Sequence, residues 1–171
     1  GENIDPLMKT KEAGGWLKNI RRESVHLLEL VNDLLDHARI EAGKVSVRPE
    51  KVDLRAFLRE LSMATQALLH SKKSVRFFLN IADNVGRFYL LDALRLRQVM
   101  MNLLGNAVKF TPRGSVTLRV EAENRQDRDC LLFSVLDTGI GIPEEAQKHI
   151  FESFAQANDN ISREYGGTGL G

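Results

Sequence analysis

The sequence predicts an α/β fold: a two-layer α+β sandwich, a mixed sheet with helices on one face, preceded by a long helix of a helical hairpin or bundle. Three observations carry this. From Trp16 to about Ala42 apolar residues recur in steps of three and four. Two further stretches, Asp53 to about His70 and Leu96–Phe110, repeat that spacing with one apolar side. Between and after them, Val75–Ile81, Val116–Glu123 and Cys130–Leu136 read as strands rich in β-branched, aromatic and alternating residues. Helices alternating with strands in this way bury one face of a sheet under a helical layer.

Each element has its own local reasons. Residues 1–15 read as loop or frayed end, since Pro6 and Gly14-Gly15 break periodicity. Leu17, Ile20, Ser24, Leu27, Val31, Leu34 and Ala38 form a heptad seam, widened by Leu28 and Leu35, and Gly43 is its stop signal. A seam of this length needs a partner helix. Val45–Val47 reads as a short edge strand cut by Pro49. Asp53 is placed to cap the next helix, whose buried side is Leu54, Phe57, Leu58, Leu61, Ala64, Leu68 and Leu69. Asp83-Asn84 and Gly86 make a turn, and Phe88–Leu90 a short strand. Asp92 caps the following helix, with Leu96, Val99, Met100, Leu103, Leu104, Ala107, Val108 and Phe110 on a broad apolar arc. Pro112 and Gly114 end it, and the segment NRQDRD turns the last two strands into a hairpin. The expected division is 1–44 for the helical region and 45–171 for the sandwich.

The chain has 171 residues, 43% hydrophobic and 27% charged, with a formal net charge of +1. Without a basic excess, no nucleic-acid partner is expected. No apolar run nears the ~18 residues of a membrane span, and no signal peptide is visible. The single Cys130 excludes an internal disulfide. It shows no metal-ligand spacing with His26, His37, His70 or His149, which argues against zinc.

Chemistry concentrates in three stretches. On the helix LRQVMMNLLGNAVKF, Asn102, Asn106 and Lys109 share one narrow arc, where a surface helix would ordinarily carry long charged residues. An amide oxygen is a neutral, hard ligand suited to Mg²⁺, and an ammonium suits a phosphate; asparagine merely tolerated on a solvated face is the competing reading. Asp137 ends a strand before the loop DTGIGIP. Its carboxylate can accept a hydrogen bond from an exocyclic amine, favouring adenine over guanine, or simply form a turn. Gly139 and Gly141 let the backbone approach a base and take positive φ, and Pro143 opens the next helical turn. Gly166, Gly167, Gly169 and Gly171 are too dense for an ordinary helix start; their N–H groups, with the Thr168 hydroxyl, can cradle phosphates. Arg163 can reach a γ-phosphate or sit in solvent. The glycines fit neither a Walker loop nor a Rossmann fingerprint.

Taken in order, the Asn102/Asn106/Lys109 helix, Asp137-Thr-Gly-Ile-Gly and Tyr165-Gly-Gly-Thr-Gly-Leu-Gly171 resemble the nucleotide-binding boxes of the sensor histidine kinase ATP-binding domain. Its superfamily also holds DNA gyrase, heat-shock chaperone and mismatch-repair ATPases. The resemblance covers nearly all of the chain after about residue 17. It implies ATP with Mg²⁺ as the ligands. Asn106 is then the first choice for the metal, Asn102 a supporting ligand, Asp137 the adenine contact and Lys109 a possible charge stabiliser. Gly139, Gly141, Arg163, Gly167, Thr168, Gly169, Leu170 and Gly171 line the remaining nucleotide contacts. Phe151-Glu-Ser-Phe154 resembles the family's phenylalanine box, with Ser153 where proline is usual, inside a lid-like segment.

The stretch IRRESVHLLELVNDLLDHARIEAGK resembles the second helix of the family's dimerisation and phosphotransfer hairpin. The phosphoacceptor motif, a His followed by an acidic residue and then an Arg-Thr-Pro turn, surrounds neither His26 nor His37. The acceptor helix is therefore expected to be missing, and the glycine box to be cut short. The resemblance implies a protein histidine kinase of two-component signalling, dimeric through the seam, passing phosphate to a response regulator receiver domain. It implies a cytoplasmic domain, tied to the membrane only through parts outside this chain. A kinase-like regulatory module that dimerises with a partner kinase is the alternative. A hydrolytic relative fits less well, because the family's water-activating glutamate would stand at position 102, and an amide is no general base.

Overall fold

The computed structural model describes residues 15–17, 20–21, 23–24, 27–28, 31, 35, 42–43, 46–125 and 128–150. These fall into two compact units, one holding the described residues before position 45 and the other those from Ser46 on. Leu34 and Ala38 of the seam lie outside them.

In the first unit, positions 15–17, 20–21, 23–24, 27–28, 31 and 35 are helical. The apolar residues among them, Trp16, Leu17, Ile20, Leu27, Leu28, Val31 and Leu35, are all exposed. Gly43 takes φ 61°, a left-handed conformation that suits a helix stop.

The second unit runs β1 (Glu50–Asp53), α1 (Leu54–Leu68), a 3₁₀ turn (Leu69–Ser71), β2 (Val75–Ile81), β3 (Phe88–Leu91), α2 (Ala93–Phe110), β4 (Gly114–Arg125), β5 (Arg128–Asp137) and the short α3 (Glu144–Gln147). The strands form two sheets. The mixed one has the order β2-β4-β5, with β2 parallel and β5 antiparallel to β4. The other is an antiparallel ribbon of β1 and β3.

The ribbon launches both long helices. Asp53 caps α1, accepting the Ala56 amide on Oδ1 (3.2 Å) and Arg87 Nε on Oδ2 (2.9 Å). Asp92 caps α2, accepting the Arg95 amide on Oδ1 (3.0 Å) and the Arg48 amide, 44 residues away, on Oδ2 (2.9 Å). Each cap satisfies an amide that the first helical turn leaves without a partner.

Burial follows the predicted periodicity. Leu54, Phe57, Leu58 and Leu61 of α1 meet Met100, Leu104, Ala107 and Val108 of α2, and Val116, Leu118 and Val120 of β4 complete the core. Each Leu, Val, Met or Phe side chain among them contributes about 1.5–3 kcal/mol by leaving water. Arg97 pairs with Glu60 across the two helices and stacks on the Phe57 ring at 5.3 Å.

Four local expectations shift. Residues 46–49 carry no strand, and the ladder starts at Glu50, past Pro49, which has no amide to donate. The first core helix stops at Leu68, which is exposed, while Thr65 is buried, its hydroxyl donating to the Leu61 carbonyl (2.8 Å). The hairpin strands run longer than expected, to Arg125 and from Arg128. On α2, Val99 (55% exposed) and Leu103 (43%) leave the apolar arc for solvent. The buried stripe centres on Met100, Leu104, Ala107 and Val108, and these two lie beyond its edge, beside Asn102 and Asn106.

Candidate functional site

Asp137 ends β5 opposite Val116 of β4, in register with the buried Val116–Leu118–Val120 row. Strand alternation therefore puts it on the helix side of the sheet. The Gly139 amide donates to its Oδ1 (2.8 Å), which orients the carboxylate and leaves Oδ2 for a ligand. Thr138 pins the loop to β4. Its amide donates to the Ser115 carbonyl (3.1 Å), and its Oγ1 accepts the Ser115 amide (2.9 Å).

The loop is then docked on the end of α2, where the Ile140 amide donates to the Phe110 carbonyl (3.2 Å). Gly139 makes this approach possible. A Cβ there would overlap the Phe110 carbonyl oxygen and stand 2.8 Å from Asp137 Oδ1. Gly141, by contrast, has open space around it and needs glycine for its positive φ of 72°. The two glycines thus answer different demands, close approach at one and backbone conformation at the other.

On α2, Asn102 is exposed and Asn106 half-buried, and Asn106 Nδ2 donates to Asn102 Oδ1 (3.2 Å). That bond uses the amide nitrogen of Asn106 and keeps its carbonyl oxygen for a cation. Lys109, one turn on, lies 4.9 Å from the Phe110 ring centroid, and burial holds its ammonium below the ordinary lysine pKa. Desolvation at that ammonium strengthens its pull on an anion. Two amides, an ammonium and, across the docked loop, a carboxylate are the groups that Mg²⁺, a phosphate chain and an adenine amine require. The donor set therefore fits the metal. Of the other expected contacts, Phe151, Phe154, Arg163 and Gly166–Gly171, with Thr168 and Leu170, lie outside the described residues.

Sequence reasoning missed two holders of this site, Thr138 and Lys72. Threonine in a DTG turn carries no signal of its own. Lys72 donates from Nζ to the carbonyls of Val108 (2.7 Å) and Lys109 (2.9 Å) at the end of α2, and its neighbour Lys73 is indistinguishable from it in sequence.

Residues 91–171 match the family described as histidine kinase-, DNA gyrase B- and HSP90-like ATPases. Those residues belong to that family. They take in the asparagine helix, the DTGIG loop and the glycine box together. Across the larger part of the chain, the circadian input-output histidine kinase CikA of Synechococcus elongatus is 42% identical over 168 residues, 95% of this chain and 21% of CikA. The signal transduction histidine-protein kinase BarA of Escherichia coli is 40% identical over 158 residues, 91% of this chain and 17% of BarA. The chain thus spans about a fifth of the length of these relatives. The full-length ShkA structure in complex with AMPPNP superposes with a TM-score of 0.75 at 34% identity, over 93% of this chain and 32% of ShkA. The mixed sheet with its helices is the fold of histidine kinase catalytic domains.

Proposed function

We propose that the chain is the ATP-binding catalytic part of a two-component sensor histidine kinase. It holds Mg²⁺-ATP and delivers the γ-phosphoryl group to a histidine that none of its own four histidines supplies. A response regulator receiver domain then takes the phosphate. The observation that carries this is the docking of the Asp137 loop on the carboxyl end of the asparagine helix. It ties the loop that follows Asp137 to the helix that carries Asn102, Asn106 and Lys109, which supports reading them as parts of one nucleotide site. The similarity to the AMPPNP-bound ShkA and to signalling kinases supports the reading.

The roles follow from the side chains. Asp137 accepts the adenine amine, the Asn106 oxygen with Asn102 behind it holds Mg²⁺, and Lys109 neutralises phosphate charge. The Gly167–Gly171 amides and Arg163 close on the phosphates. Mg²⁺ when bound supplies charge neutralisation on the phosphate oxygens. Transfer forms a bond from phosphorus to an imidazole nitrogen and breaks the bond to ADP. It needs the acceptor held in line with the leaving oxygen.

Titration calorimetry should show Mg²⁺-ATP and ADP binding with no measurable GTP binding, and Asp137→Asn should weaken ATP by the loss of a charge-assisted bond. Equal affinity for GTP would sink the Asp137 assignment. With γ-labelled ATP the isolated chain should take no acid-labile label, while a kinase acceptor helix supplied in trans should be labelled. Label on His26 or His37 would overturn the acceptor argument. No transfer even in the complete protein would favour the regulatory module that modulates a partner kinase.

A further inference from the structure

The carboxyl end of α2 is held from outside the three boxes. Lys72 follows the 3₁₀ turn with its backbone pinned on both sides, its amide donating to the Leu69 carbonyl (2.8 Å) and its carbonyl accepting the Val75 amide (3.0 Å). From this fixed point its Nζ donates to the carbonyls of Val108 (2.7 Å) and Lys109 (2.9 Å) and reaches that of Thr111 (3.5 Å). The Phe110 carbonyl between them accepts the Ile140 amide of the DTGIG loop. Four successive carbonyls at a helix end, which the helix itself cannot satisfy, are thus divided between one ammonium and one glycine loop. An ammonium has three donors, and here three backbone oxygens lie within 3.5 Å of it. A cation at this position also complements the negative end of the helix dipole.

We infer that Lys72 is a positioning residue for nucleotide binding. It fixes the carboxyl end of α2, whose last two turns carry Asn106 and Lys109, against the loop that follows Asp137. The metal-phosphate end and the adenine end of one ligand are thereby held at a set spacing. The inference rests on the ATP reading above. It differs from plain helix capping, because it assigns Lys72 an effect on one end of the ligand and not the other. Without Lys72 the carbonyls of Val108 and Lys109 must find water, and the last turn loses its register with the loop, while Asp137 keeps its bonds to Gly139 and its place on β5.

Adenosine and Mg²⁺-ATP titrations of the full chain followed by NMR, with urea unfolding alongside, test this. Lys72→Met should cost about tenfold in Mg²⁺-ATP affinity, the scale of hydrogen bonds to a charged group, and change adenosine affinity less than about twofold. Lys72→Arg, which keeps charge and donors, should recover most of the loss, and Lys73→Met should be neutral. Asn106→Ala should cost less in the Lys72→Met background than alone, as two substitutions that act on the same helix end are coupled. If Lys72→Met unfolds the chain, Lys72→Gln against Lys72→Arg carries the same comparison. Equal losses for adenosine and Mg²⁺-ATP, or additive effects with Asn106→Ala, would overturn the inference and leave the ATP reading standing. A wild-type chain that binds no ATP would overturn both.

Discussion

Gly139 is the position where one added carbon has the largest consequence. The Cβ of Gly139→Ala would meet the Phe110 carbonyl oxygen, which belongs to a helix end and cannot swing aside as a flexible side chain would. The loop must then leave α2. The expected outcome is a destabilisation of about 1–3 kcal/mol together with loss of ATP binding, read by urea unfolding and calorimetry. Gly141→Ala should cost less, because only its backbone conformation is at issue. At the helix caps, the Arg48 and Arg95 amides hold the Asp92 carboxyl below its ordinary 3.8. The Arg87 side chain and the Ala56 amide do the same for Asp53. A carboxylate depressed in the folded state contributes stability above the unfolded pKa and loses it as pH falls through the folded value. Unfolding midpoints should therefore be flat above about pH 5 and fall below pH 4. Asp92→Asn should flatten part of that acid limb; an unchanged limb would remove Asp92 from the account.

At the scale of the element, α2 serves two layers at once. Its buried stripe holds the core and its opposite arc holds the candidate ligand groups, so the two faces can be perturbed separately. Leu104 is fully buried, and Leu104→Ala should cost about 3–5 kcal/mol by creating a cavity. Asn106→Ala should leave stability within about 0.5 kcal/mol, as expected of a substitution outside the core, while removing the Mg²⁺-dependent part of ATP affinity. Equal stability effects from the two would contradict the two-faced reading. The exposed Val99 and Leu103 stand beside this arc. β4 is the complementary element, the central strand whose Val116, Leu118 and Val120 form the sheet's side of the core.

At the scale of the whole molecule, the described part of the helical seam carries a run of exposed apolar side chains. Trp16, Leu17, Ile20, Leu27, Leu28, Val31 and Leu35 are exposed in the single chain, more apolar area along one segment than solvent favours. We propose that the seam packs on the same segment of a second copy. Light scattering should show a dimer or larger species, and Leu27→Asp with Val31→Asp should dissociate it, since unpaired carboxylates are costly to bury in a helix interface. A strictly monomeric wild type would refute this. Among the described residues no helix is long and apolar enough to cross a membrane.

By itself the sequence determined the elements and their local devices. β2 is found over the predicted Val75–Ile81, and Asp53 and Asp92 cap where expected. Periodicity, caps and turn residues are encoded within one or two helical turns or strand repeats, so they can be read without the fold. The asparagine helix and the DTGIG loop were legible for a similar reason, since each is a contiguous run. Only the tertiary structure decided how these two meet, through the Ile140 amide on the Phe110 carbonyl. Which apolar residues of α2 are buried depends on what packs against it, which exposes Val99 and Leu103. Pairing across space, not strand content, divides the strands into a ribbon and a mixed sheet. The choice of Lys72 over Lys73 rests on hydrogen bonds spanning 36 and 37 residues, and contacts that distant leave no periodic trace in either partner's neighbourhood.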